Sequence, residues 1–220
     1  MLEYRVGARR IDSHGSVASA KEAEIILDTD VGGRPDAFNP AELFLAAIAA
    51  CAALGMSAAD IAHAMPGFQG VKRRMEVFLE SRGITFVDDF AHHPTAIRET
   101  IAAARQRWPQ RTPHVLFEPR SNTVVTNRFQ AEMNAAFREA DAVWLGPIHR
   151  AASIPESERL DRTAIVRALE QEGVPAAFTD DVGEIVAGLE ASVASGDVVL
   201  ILSNGAFGGI YDRLRKTYER

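Results

Sequence analysis

The sequence predicts an α/β protein: a Rossmann-like, mostly parallel sheet with helices on both faces, preceded by a small N-terminal segment of strands and one long helix. Three observations carry that expectation. From about residue 72, short apolar runs alternate with helical patterns, the signature of a parallel sheet covered on both sides. The run VVLIL at 198–202 lacks polar alternation, as a strand buried on both faces requires. The stretch AELFLAAIAACAALGM at 41–56 is apolar around its circumference, so it must be buried, either centrally or at an interface.

In chain order, residues 4–9 and 24–27 read as short strands separated by a small polar stretch, 13–20. DTDVGGRPDAFNP follows as a loop, because Gly, Pro, Asp and Asn all favour turns. Asn39-Pro40 suits a helix start, and the helix is expected over 40–56. A second helix is expected from Ser57 to Ala64, with Ser57 as cap and Asp60 in its first turn, closed by Pro66-Gly67. These pieces divide the chain into an N-terminal segment (1–56), a linker helix and turn (57–71) and an α/β domain (72–220). In that domain strands are expected at 75–79, 85–88, 114–118, 142–145, 176–178 and 198–202. Helices are expected at 95–107, 126–139, 162–171, 182–194 and 207–218.

Composition narrows the function. A chain of 220 residues, 47% hydrophobic and 25% charged, can bury a full core. A net charge of −6 disfavours nucleic-acid binding through a basic face. The single cysteine excludes an internal disulfide or a CxxC metal or redox motif. No apolar run is long enough for a membrane span, and the N-terminus lacks an apolar signal core, so a cytoplasmic location is expected.

Open parallel sheets bind ligands beyond the carboxyl ends of their strands. Three strand-end loops carry suitable chemistry. The first holds Asp88, Asp89, His92 and His93. It can be read as a divalent-metal site, as a nucleotide edge, or as a capped helix start with Pro94 in the first turn. The second, Arg120-Ser121-Asn122-Thr123, offers a planar cation and hydroxyl and amide groups suited to a carboxylate or phosphate, or is a solvated loop. The third, Ser203-Asn204-Gly205-Ala206-Phe207-Gly208, is a Gly-rich cradle leading into a helix, or a plain tight turn. Lys72-Arg73-Arg74 is a phosphate contact or a solvated run. Cys51, within the apolar helix, is expected to be a buried thiol of low reactivity. His14, His63, His114 and His149 stand isolated and are expected to be structural or at the surface.

GVKRRMEV (70–77), VDDFAHHPTAI (87–97), FEPRSNT (117–123) and SNGAFGGI (203–210) together resemble the C-terminal domain of a Mur ligase, of the murein peptide ligase type, over about 52–220. Ala206 departs from the pattern where glycine is expected. The resemblance implies an ATP-dependent amide ligase of peptidoglycan recycling that joins UDP-N-acetylmuramate to a tripeptide through an acyl phosphate. It implies a phosphate contact, the catalytic role, for Arg74 and a ribose contact for Asp89, with His92 and His93 beside the nucleotide. Arg120, Ser121, Asn122, Ser203, Asn204, Gly205, Phe207 and Gly208 would face the peptide. ATP is the implied cofactor, with magnesium only in a complete ligase, and peptide and nucleotide substrates are the implied partners. No GxxxxGK[ST] phosphate loop occurs, so the chain alone is expected to be inactive.

HGSVASAKEAEIILDTDVGGRPDAFNPAELFLAAIAAC resembles instead the N-terminal part of an OsmC-like protein. That resemblance implies a thiol redox role for Cys51 as the alternative function, although Ala41 stands where that family has glutamate and no second cysteine exists. A non-catalytic remnant is a third reading. The apolar residues Leu43, Phe44, Leu45, Ile48 and Leu54, spread around the long helix, lead to the expectation of a homodimer through 1–56.

Overall fold

The computed structural model describes three N-terminal strands, residues 48 and 50–64, and residues 71–219. They fall into two units, Met1–Gly70 and Val71–Arg220.

In the first unit, β1 (Val6–Arg10), β2 (Ser16–Ala20) and β3 (Ala23–Leu27) form an antiparallel meander with β2 in the centre. The middle strand replaces the polar connector expected at 13–20. SVASA has little strand propensity of its own, but it pairs on both edges, with Val17 opposite Arg9 on one side and Ile26 on the other. Residues 50–53 are helical. Their end is a Schellman turn: Met56 N–H donates to the Cys51 carbonyl at 3.1 Å and Gly55 N–H to that of Ala52 at 3.0 Å. Gly55 takes the required left-handed conformation at φ 89°. Ile48 is buried, Leu54 is 84% exposed and Cys51 is half-buried, so the thiol is more accessible than its apolar neighbours imply. Leu43, Phe44, Leu45 and His14 lie outside the described residues. Ser57 then caps α1 (Ala58–Ala64): its hydroxyl accepts from Asp60 N–H at 3.1 Å and donates to the Asp60 carboxylate at 2.6 Å.

The second unit is a six-stranded sheet of order β4-β5-β9-β6-β7-β8. Its strands are β4 (Glu76–Ser81), β5 (Ile84–Asp89), β6 (Pro113–Phe117), β7 (Ala142–Leu145), β8 (Ala176–Phe178) and β9 (Val198–Leu202). All run parallel except β4, which pairs antiparallel with β5 through a turn whose two central residues, Arg82 and Gly83, both have positive φ. The helices are α2 (Pro94–Arg107), α3 (Gln130–Ala136), α4 (Arg162–Gln171), α5 (Val182–Ser192) and α6 (Ile210–Tyr218).

The unalternating β9 is explained by its place. Val198, Leu200 and Leu202 face a core built with α2, α3 and α4, including Ile97, Ile101, Met133 and Ile165. Val199 and Ile201 face a second core with α5 and α6, including Ile185, Leu189, Ile210 and Leu214. Two expected helices begin late. Residues 127–129 form a 3-10 turn tied to the facing loop by Asn127, whose amide donates to the Ser157 carbonyl at 2.9 Å. Residues 207–209 also form a 3-10 turn, and the positive φ of Phe207, Gly208 and Gly209 delays the α-helix to Ile210. Among the described residues no helix is long and apolar enough to cross a membrane.

Candidate functional site

The ends of three neighbouring strands define the rim. Asp89 stands opposite Leu202 in register, and Leu202 opposite Phe117. Ser203 N–H donates to the Asp89 carbonyl at 3.1 Å and Glu118 N–H to that of Leu202 at 3.0 Å. The loops carrying Asp89, Arg120 and Ser203 therefore leave one edge of the sheet together, as the strand pattern led one to expect.

One half of the rim is organised by Glu118, which sequence reasoning passed over. It is 4% exposed and accepts from the Ser203 hydroxyl and, at 3.2 Å, from Phe207 N–H. Its other oxygen faces Arg120 at 3.4 Å. Ser203 Oγ in turn accepts from Gly205 N–H at 2.9 Å, closing the loop on itself. Arg120 lies across Gly205 so closely that a Cβ there would sit 2.2 Å from its Nε, so the side chain keeps this position only over glycine. Arg120 also donates to His149 Nδ1 at 3.3 Å. Guanidinium has no acceptor, so His149 accepts and carries its proton on Nε2 when neutral. His149 thus joins the site, contrary to its isolation in sequence. Ser121 Oγ accepts from Val124 N–H, and Asn122 Oδ1 from Arg150 at 2.7 Å, while Arg150 itself takes a left-handed conformation. Ser203 and Phe207 are fully buried, so they shape the loop. Asn204 and Gly205 are partly exposed and Gly208 is exposed.

The other half begins at the basic run, whose two arginines do different things. Arg73 turns inward. Its Nε pairs with Asp88 at 3.0 Å, and one terminal nitrogen reaches the carbonyls of Ser203 (2.6 Å) and Gly205 (3.1 Å) and the Tyr211 hydroxyl (3.3 Å). Tyr211 donates to Asp88 at 2.7 Å, and burial together with that carboxylate pushes its pKa above the ordinary tyrosine range. Arg74 stays exposed, with its guanidinium 5.0 Å from the centre of the Phe90 ring, which the Arg73 guanidinium also approaches, at 5.4 Å. The split is set by backbone: Arg73 and Met75 both lie at positive φ.

Asp89 is 5% exposed. Its carboxylate accepts from Met75 N–H (2.8 Å), Ala91 N–H (2.8 Å) and the Thr100 hydroxyl (3.3 Å). Desolvation raises its pKa, opposed by these hydrogen bonds and by Arg74. Asp89 thus pins the arginine-bearing segment to the β5–α2 loop. His92 Nδ1 donates to the Phe90 carbonyl at 2.8 Å, leaving Nε2 as an acceptor in the neutral ring, and the ring stands edge-on to Phe90. His93 is the N-cap of α2, accepting from Thr95 N–H at 3.4 Å, and stacks edge-on against Phe129. Asp88, Asp89, His92 and His93 therefore each serve different partners, and among the described residues no group of three metal-ligating side chains forms. His114 lies away from this rim, at the start of β6, paired with Asp197 at 3.1 Å.

Comparison with known proteins places this arrangement. The UDP-N-acetylmuramate–L-alanyl-γ-D-glutamyl-meso-2,6-diaminoheptandioate ligase of Escherichia coli (strain K12) is 36% identical over 172 residues, 77% of this chain and 35% of that protein. A UDP-N-acetylmuramate–L-alanine ligase of Desulfitobacterium hafniense (strain Y51) is 32% identical over 73% of this chain and 36% of its own length. The crystal structure of a murein peptide ligase from Psychrobacter arcticus 273-4 superposes with a TM-score of 0.68 at 28% identity, covering 97% of this chain and 43% of that one. The chain spans about a third of the curated relatives it matches. That structural match extends into residues 1–51, since it covers 97% of this chain. The OsmC-like reading of that segment, with its redox role for Cys51, finds no support. Residues 73–205 match the Mur ligase, glutamate ligase domain, and the chain belongs to the Mur ligase family, of which it carries the C-terminal domain.

Proposed function

We propose that the chain supplies the peptide- and nucleotide-contacting domain of an ATP-dependent amide ligase of peptidoglycan recycling, acting in the cytoplasm to join UDP-N-acetylmuramate to L-alanyl-γ-D-glutamyl-meso-diaminopimelate. The observation that carries this reading is the division of one rim into two differently built halves. On one, Arg120 is held between Glu118 and His149 above a glycine loop, with its side chain partly open to solvent. A guanidinium fixed in this way can fork onto a peptide carboxylate and aim the peptide's amine. On the other, Arg74 extends over Phe90, with the acceptor nitrogen of His92 beside the same ring. That half suits a nucleotide: Arg74 as the cation for its phosphates, His92 and His93 along its edge, and Asp89 beneath them, where a ribose hydroxyl would share oxygens already engaged by Met75 and Ala91.

ATP, when bound, supplies the phosphoryl group that activates a carboxylate for attack by an amine. Arg74 then lies where it can offset charge on the phosphates, and the Arg120 half holds the attacking peptide. Arg73 couples the halves, since one side chain bonds the carbonyls of Ser203 and Gly205 while its backbone carbonyl accepts from Phe90 N–H.

The test exchanges Val71–Arg220 for the corresponding domain of the Escherichia coli ligase and follows phosphate release with ATP and UDP-N-acetylmuramate. Turnover that depends on the tripeptide is expected. Turnover with L-alanine alone would shift the reading to the L-alanine ligases. A folded chimera silent with both would overturn it. The 220-residue chain by itself is expected to show no turnover.

A further inference from the structure

Beyond His149 the rim opens into a cleft of about 760 Å³ that the site described above does not use. It runs between the 148–161 loop, the start of α4 and the end of β8. Its apolar walls include Ile148, Leu160 and Phe178. Arg162 forms part of its floor and is fully committed, donating to the Gly146 carbonyl at 2.8 Å, pairing with Asp180 at 2.8 Å and lying under the Phe178 ring. Two other charges lining the cleft are not committed. Arg159 spends Nε on the Ile154 carbonyl at 2.7 Å, and its two terminal nitrogens meet no partner among the described residues. The exposed carboxylate of Glu156 meets none either.

An available cation and an available anion between apolar walls match the two ends of an amino-acid zwitterion. A single alanine would leave most of this volume empty. The cleft and the Arg120 cluster are also neighbours along the chain, Ile148 lining the cleft and the next residue, His149, bonding Arg120. We infer that this cleft is a distal peptide subsite that takes the free amino-acid end of the third residue, carboxylate to Arg159 and ammonium to Glu156. Arg120 then holds a carboxylate nearer the new bond. The inference rests on the peptide-ligase reading and deepens it: the cleft selects a tripeptide over a shorter amine.

Calorimetry on the full chain tests it with L-alanyl-γ-D-glutamyl-meso-diaminopimelate and with L-alanyl-γ-D-glutamate, which lacks the third residue. The tripeptide is expected to bind about tenfold tighter than the dipeptide. Arg159→Ala and, independently, Glu156→Gln should each remove most of that advantage and leave dipeptide affinity unchanged, whereas Arg120→Ala should weaken both peptides. Equal affinity of the two peptides for the unaltered chain, or an advantage that survives both cleft variants, overturns the subsite while the peptide-ligase reading stands. Failure of either peptide to bind, with Arg120→Ala without effect, overturns both.

Discussion

Replacing each of two adjacent arginines in turn should give opposite phenotypes. Arg73→Ala removes the ion pair with Asp88, the bonds to the Ser203 and Gly205 carbonyls and the contact with Tyr211. The Arg73 side chain is 25% exposed and that of Asp88 12%, so the lost pair leaves a largely buried carboxylate with only the Tyr211 hydroxyl. Charge-assisted bonds of this kind are worth roughly 1.5–3 kcal/mol each, and partial solvation keeps the sum near the low end, about 2–3 kcal/mol in total. For a domain of this size that corresponds to a fall in Tm of roughly 5–10 °C. Arg74→Ala loses the exposed stack on Phe90 and a screened attraction to Asp89, together about 0.5–1 kcal/mol, and should melt within roughly 3 °C of the parent. Affinity for ATP should behave in the opposite sense, falling about tenfold for Arg74→Ala and much less for Arg73→Ala. Calorimetric melting and nucleotide titration of the two proteins side by side read both effects. If Arg73→Ala melts with the parent, or if Arg74→Ala is the less stable protein, the division of labour argued from their geometry is wrong.

Gly205→Ala places a methyl group on the Arg120 side chain and should displace it, lowering tripeptide affinity about tenfold, with less than roughly 1 kcal/mol lost in urea unfolding because the displaced group is flexible. Burial raises the Asp89 pKa, so protonation favours the folded state. The stability of the parent relative to Asp89→Asn should therefore be greatest below the unfolded-state value near ~4 and decline as pH rises through the folded-state value; urea titrations across acidic pH would contradict this if the difference rose with pH. Phe207→Ala empties a fully buried position in the core of α5 and α6, where Phe207 N–H bonds Glu118, and should cost about 3–5 kcal/mol by the same assay.

The sheet was legible because its strands carry their burial in their sequence. VVLIL splits its five side chains between two cores, and each parallel strand is bounded by turn residues or a helix start. The central strand β2 was not legible, since SVASA owes its conformation to pairing on both edges. The ends of the helices at 126 and 207 depended on features with no periodic signal: a side chain bonded to a distant loop, and three successive positive φ angles. At the site, Arg120, Asp89 and the Ser203 loop were visible as strand-end residues. Glu118 and His149 were not, because a buried acid and an isolated histidine acquire meaning only from partners about 85 and 29 positions away, a separation set by the sheet. Arg73 and Arg74 are chemically identical in the sequence, and only the positive-φ backbone of Arg73 and Met75 ahead of β4 tells them apart. The OsmC-like reading rests on the stretch from His14 to Cys51, whose final part is an Ala-rich apolar helix, a pattern that any buried helix shares.

The central claim is that one rim of this domain is divided into a peptide half and a nucleotide half. Backbone amide chemical-shift mapping of the full chain, first with L-alanyl-γ-D-glutamyl-meso-diaminopimelate and then with ATP, tests it most directly. The peptide should shift Glu118–Asn122, His149 and Ser203–Gly208, and ATP should shift Arg74, Phe90, His92 and His93, with little overlap. Both ligands perturbing the same residues, or perturbations confined to the opposite edge around His114 and Asp197, would contradict the account.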